Sequence, residues 1–129
     1  MENKYTIKEL GEALQIVSST IDRCEKAQHK FVEYTPQYTL LTNRIKALYI
    51  SKSLLNNENV MDRFTKEELM EALPPVSSII SKCEKAQKKF AEGTSHHTRL
   101  NNMIKAMYIS KSFITQEIHH FDLKVMKGR

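Results

Sequence analysis

The stretch Cys24-Glu-Lys-Ala-Gln28 returns as Cys83-Glu-Lys-Ala-Gln87, and Ile45-Lys-Ala-Leu-Tyr-Ile-Ser-Lys-Ser53 returns as Ile104-Lys-Ala-Met-Tyr-Ile-Ser-Lys-Ser112. Both pairs are 59 residues apart. At that offset positions 4–54 lie on 63–113 without a gap, and 30 of the 51 are identical. Two copies are too few for a solenoid, which needs about three units to cover its core. Two similar units in 129 residues read instead as halves of one domain. A lone hairpin cannot bury its own apolar face, so each packs on its twin as a fused dimer about a pseudo-twofold axis.

Each copy reads as helices. Thr6-x-x-Glu9 and Thr65-x-x-Glu68 have capping-box spacing, and Leu10, Ala13 and Leu14 (Leu69, Ala72 and Leu73 in the second copy) follow as a short apolar stripe. Pro74-Pro75 predicts a helix end in copy two, with a kink shared by Gln15-Ile16 in copy one. Beyond it, Val17, Ile21, Cys24, Gln28 and Phe31 alternate by four and three, as do their equivalents from Val76 to Phe90. Thr35-Pro36 reads as an N-cap with a first-turn proline, and Gly93 as the left-handed residue that ends the preceding helix. The second helices are expected over about 36–56 and 95–116, with Asn56, Asn57 and Asn59 as connector. The expected fold is all-α: hairpin 4–57, hairpin 63–116, and a basic tail 117–129.

Composition fits this reading. Hydrophobic residues are 40% and charged residues 27%, as in a globular protein, and 3 Gly with 3 Pro leave little for a turn-rich sandwich, barrel or Gly-cradled nucleotide fold. No apolar run approaches the roughly 18 residues of a membrane span, and the opening Met1-Glu-Asn-Lys-Tyr5 lacks the features of a secretory signal. A cytoplasmic protein without membrane contact is expected. The net charge of +5 falls entirely in residues 63–129, because residues 1–62 sum to zero. An anionic partner is implied, but the basic residues are interleaved with acids, which disfavours nucleic acid.

The second helix of each copy carries the candidate site. Leu41, Ile45, Leu48 and Leu55 share a core face, while Ala47, Ile50 and Leu54 make a second apolar edge flanking Ser51. A helix apolar on two sides is enclosed by its bundle or covered by another subunit. Between the faces runs a polar stripe, Thr39, Asn43, Lys46 and Ser53, repeated unchanged as Thr98, Asn102, Lys105 and Ser112, with Tyr49 and Tyr108 beside it. The neighbouring positions 36–38, 40, 42 and 44 all differ between the copies. The stripe starts at a helix N-terminus, where free amides favour an anion. In copy two Thr94-Ser95-His96-His97-Thr98-Arg99 adds hydroxyls, imidazoles and a guanidinium.

Other constellations carry less. His96-His97 and His119-His120 are adjacent pairs whose side chains diverge by about 100°, so no metal is expected. Cys24 and Cys83 on the apolar seam read as small hydrophobes, Glu25 and Lys26 as solvated charges, and Met61, Met70, Met103 and Met107 as core filler. No nucleophilic triad, paired-carboxylate or Cys-His pattern is present, so no enzymatic activity and no cofactor are expected.

Residues 39–55, Thr39-Leu-Leu-Thr-Asn-Arg-Ile-Lys-Ala-Leu-Tyr-Ile-Ser-Lys-Ser-Leu-Leu55, resemble the hairpin domain of phage anti-defence sponge proteins. The resemblance covers about 25 residues of each copy and lies in the layout helix, short loop, then a helix of type T-x-L-x-x-x-I-x-A. It implies a small helical oligomer that binds cyclic-nucleotide immune signals of the CBASS and Thoeris type, with phosphates between hairpins, and removes them without cleavage. Such sponges carry one hairpin per chain where this chain has two, and only the Thr, Arg and Lys positions named above carry over. The segment is also similar to small helical proteins of Firmicutes and their mobile elements.

The sequence reading is therefore a non-enzymatic binder of a small anionic nucleotide in the cytoplasm, of the host cell if phage-encoded. His97, Thr98 and Arg99 hold phosphate, Lys105 neutralises it, Asn102 reads a base or ribose edge, and Tyr108 or Tyr49 stacks. Thr39, Asn43 and Lys46 form the counterpart, and a homo-oligomer is expected. The alternative is a helical interaction module whose surplus apolar edge docks on a protein partner.

Overall fold

The computed structural model describes residues 4–127; residues 1–3 and the last two positions of the expected basic tail, 128–129, lie outside the described residues. Among the described residues the chain forms α1 (Ile7–Gln28), α2 (Pro36–Leu55), α3 (Lys66–Gln87) and α4 (Ser95–Lys127), with no strand. None of these helices is long and apolar enough to cross a membrane.

Local chemistry sets the helix starts. Thr6 Oγ1 accepts the Glu9 amide at 3.0 Å while the Glu9 carboxylate accepts the Thr6 amide at 2.9 Å, and Thr65 with Glu68 repeats the arrangement at 3.1 and 3.0 Å. Each box satisfies two amides that the helix cannot. Thr35 caps α2 ahead of Pro36, and Thr94 Oγ1 accepts the His97 amide at the start of α4. In the turn before α4, Gly93 takes φ +88; its equivalent Tyr34 takes φ +69, which is costly for a side-chain-bearing residue. Phe31 and Phe90 fall past the ends of α1 and α3, in the turns rather than on the helical seam.

The expected break at Pro74-Pro75 does not occur: α3 passes through both prolines and has the same 22 residues as α1. Two helical hydrogen bonds are forfeited, those to the carbonyls of Met70 and Glu71, because proline has no amide hydrogen. Leu69, Ala72, Val76, Ile79 and Ile80 are nevertheless buried along one stripe across the prolines. Keeping that stripe continuous outweighs the lost bonds. Met70, read as core filler, is 52% exposed. Its carbonyl side faces the same prolines, but its side chain points off the buried stripe.

α1 packs on α2 and α4, α3 packs on α2 and α4, and α2 and α4 also meet each other, whereas the backbones of α1 and α3 do not approach closely. α2 and α4 thus lie on the short diagonal of a four-helix bundle and each has three neighbours. That accounts for their apolar edges: Ala47, Leu48 and Ile50, like Ala106, Met107 and Ile109, are wholly enclosed. Of the second edge of α2, Ala47 and Ile50 are enclosed by the bundle while Leu54 stays partly exposed. At the crossing, Ser51 and Ser110 are fully buried, each donating its hydroxyl to the carbonyl four residues back at 2.9 Å. A small side chain that satisfies its own hydroxyl lets two helices approach closely. α4 continues helically through 117–127, with Ile118 and Phe121 against the core and Asp122 paired with Lys66.

Candidate functional site

The two stripe lysines are held by the opposite repeat. Lys46 on α2 pairs with Glu68 of α3 at 3.0 Å, and Lys105 on α4 pairs with Glu9 of α1 at 2.9 Å. In both cases the acceptor is the capping-box glutamate, so one carboxylate closes a helix start and ties it to the other hairpin. The Thr6 amide, then Lys105, draws the Glu9 carboxyl down to about 2, and the Thr65 amide with Lys46 lowers Glu68 in the same way. Glu9 in turn raises the Lys105 ammonium. The sequence shows these glutamates as caps; their second partner was signalled only by a lysine preserved in both copies.

Above each ion pair lies a groove. Between α2 and α3 a cavity of about 480 Å³ is walled by Leu40, Asn43, Lys46, Ala47 and Ile50 on one side and by Glu68, Glu71, Ala72, Pro74, Pro75 and Ser78 on the other. Between α1 and α4 the corresponding positions line a small recess at Glu9, Ala13 and Lys105 that continues into a cavity of about 570 Å³. The larger cavity is walled by Glu12, Gln15, Ile16, Ser19, Arg23, Arg99, Asn102 and Met103. Asn43 and Asn102, Lys46 and Lys105, Glu71 and Glu12, and Ser78 and Ser19 occupy matching places. The grooves differ where the copies differ: Leu40 against Arg99, and Pro74-Pro75 against Gln15-Ile16.

Arg99 in place of Leu40 adds one cation to the α1/α4 groove, and Arg23 lines that groove while its equivalent Lys82 does not line the other. The α1/α4 groove has three cationic side chains, Arg23, Arg99 and Lys105, against the carboxylates of Glu9 and Glu12. The α2/α3 groove has Lys46 against Glu68 and Glu71. Neither Arg23 nor Arg99 forms an ion pair among the described residues; Arg23 donates to Thr20 Oγ1 at 3.2 Å.

Of the residues singled out in the sequence, Asn43, Lys46, Arg99, Asn102 and Lys105 reach the grooves, and the others do not. Tyr49 donates its hydroxyl to Glu25 at 3.0 Å, which raises the phenol and turns the ring toward α1. Glu25, read as a solvated charge, is thereby engaged. Tyr108, Thr39 and Thr98 are exposed and line neither groove. The His97 carbonyl accepts Gln87 Nε2 at 3.3 Å, and His96 stacks on Phe90 with ring centroids 4.9 Å apart, so this turn is committed to closing its hairpin. Ser53 of the stripe is buried. Arg23, Gln15, Glu12 and Glu71 escaped the sequence reading because they lie on the first helix of each hairpin, and only the inter-repeat packing brings them to the stripe.

Cys24 is buried, Cys83 half-buried, and both are free thiols raised by burial. Among the described residues no three His, Cys, Asp or Glu side chains converge as metal ligands. Comparisons with protein-family models, curated proteins and solved structures find no match to this chain.

Proposed function

We propose that this chain is a non-enzymatic binder of a small phosphate-bearing ligand, held in the α1/α4 groove and sequestered rather than converted. The observation that carries the reading is the meeting of Arg23 and Arg99, neither ion-paired among the described residues, in a cavity of about 570 Å³ beside Asn102 and Gln15. That volume is within the range of about 300–1,000 Å³ common for small-ligand sites. Two guanidinium forks suit a phosphate because each offers paired donors in a fixed plane. Asn102 and Gln15 supply both donors and acceptors for a base or ribose edge, and Ile16 with Met103 forms an apolar wall. Lys105 contributes less than its charge suggests, since Glu9 already holds it.

The reading extends the sponge resemblance and includes a fused-dimer origin for the bundle. Supporting that origin, the ion pairs Lys46–Glu68 and Lys105–Glu9 exchange with each other when each residue is replaced by its repeat equivalent. Titration calorimetry against cyclic dinucleotides, cyclic mononucleotides and ADP-ribose tests the function. One class should bind and be recovered intact, with affinity falling at least tenfold in Arg99→Leu. Absence of binding across the panel, or undiminished binding by the Arg99→Leu and Arg23→Gln variants, overturns it.

A further inference from the structure

Arg44 stands where the pattern of α2 calls for a core residue. Leu41, Leu48, Ser51 and Leu55 are buried, and Arg44 falls between the first two at the three-then-four spacing of that seam. Its repeat equivalent on α4 is Met103, which packs against the core and accepts the Thr20 hydroxyl through sulfur at 3.7 Å. Repeat one thus has a guanidinium where repeat two has a thioether.

That guanidinium is unmet. Among the described residues only Arg44 has buried side-chain nitrogens without a partner, and they are Nε and Nη2. These two atoms form one edge of the guanidinium, so their N–H bonds run parallel and match two oxygens of a single oxyanion. The charges of Arg44 and Arg23 both oppose the burial that raises the thiols of Cys24 and Cys83, which puts two cations and two thiols in one neighbourhood. Glu25 acts on Cys24 and Glu84 on Cys83, but neither pairs with an arginine among the described residues, and Glu25 accepts from Tyr49 instead. A desolvated donor edge with no acceptor is costly. An arginine kept where methionine serves the same fold indicates that the edge has an occupant.

We propose that the Nε/Nη2 edge of Arg44 is an internal site for a phosphate-type oxyanion, with Arg23 supplying the second positive charge. The anion accepts from both Arg44 nitrogens and neutralises a charge that the seam of α2 otherwise carries unpaired. The site does not rest on the α1/α4 reading: Arg99 and Asn102 take no part in it, although Arg23 serves both.

Amide NMR of the full chain, with inorganic phosphate exchanged for chloride at constant ionic strength, provides the test. Phosphate should give saturable shifts at the amides of Cys24, Ile45 and Cys83. Arg44→Met installs the residue of the other repeat and should weaken phosphate at least fivefold. Arg44→Lys keeps the charge but loses the paired donors, and should do the same. Arg99→Leu should leave the affinity within fivefold of the parent. Retained spectral dispersion verifies folding, and Arg44→Lys decides alone if Arg44→Met does not fold. No saturable shift up to about 20 mM, a generous limit for so small a ligand, or a smaller loss in either folded Arg44 variant, overturns the proposal. A fivefold or greater loss in Arg99→Leu also overturns it, by assigning the phosphate to the α1/α4 groove.

Discussion

Replacing Pro74-Pro75 by the Gln-Ile of the other repeat should make this protein more stable. α3 is already continuous across both positions, so the substitution restores amide hydrogens to a helix that exists without them. Each interior proline costs about 3 kcal/mol relative to Ala, of which roughly 1 kcal/mol is the missing hydrogen bond. Adjacent prolines share one local distortion, so their costs do not add, and Gln and Ile are weaker helix formers than Ala. A net gain of about 3 kcal/mol is the resulting expectation. With a urea dependence of about 1.5 kcal/mol per M, the unfolding midpoint should rise by about 2 M. For a domain of this size the same gain is about 10 °C in Tm. Equilibrium urea unfolding followed by far-ultraviolet circular dichroism measures it, with the slope examined for constancy. A midpoint that stays put or falls at unchanged slope refutes the reasoning, because α3 would then not be held against its own propensity by the buried stripe from Leu69 to Ile80.

Three further outcomes follow from the same geometry. Glu9 and Glu68 both titrate below their ordinary value of 4.5, Glu9 at about 2, so their charged forms favour the folded state above 4.5 and the contribution is lost as pH falls through their lowered values; thermal unfolding of Glu9→Gln/Glu68→Gln should lie below the parent at pH 7 and converge with it as the solution is acidified below 4.5. Leu40→Arg gives the α2/α3 groove the guanidinium that Arg99 gives its twin; for any phosphate ligand of the α1/α4 groove, calorimetric stoichiometry should move from one toward two per chain, and an unchanged value counts against Arg99 as the deciding residue. Tyr34→Gly places glycine where Gly93 sits in the other repeat and should raise stability by about 1 kcal/mol, the approximate cost of a left-handed side-chain-bearing residue; a loss would mean that the 93% exposed Tyr34 side chain makes a contribution of its own.

Much of this architecture was legible without coordinates. The 59-residue repeat, the capping boxes at Thr6 and Thr65, Thr35-Pro36 and Gly93 are local signals, because a cap or a left-handed turn is decided by side chains within a few residues of the backbone they satisfy. The polar stripe was equally visible, since helical periodicity alone puts Asn43 near Lys46 and Asn102 near Lys105. The tertiary structure decided what those signals meant. It carried α3 through its prolines, because burial summed over the stripe outweighs two missing hydrogen bonds. It buried Ala47 and Ile50 of the second edge of α2 within the bundle and left Leu54 partly exposed. It also assembled each groove from a second helix of one repeat and a first helix of the other, giving Lys46 and Lys105 their glutamates and adding Arg23 to Arg99. Charge in a groove depends on which helices face each other, and packing geometry, not spacing along the chain, makes that choice.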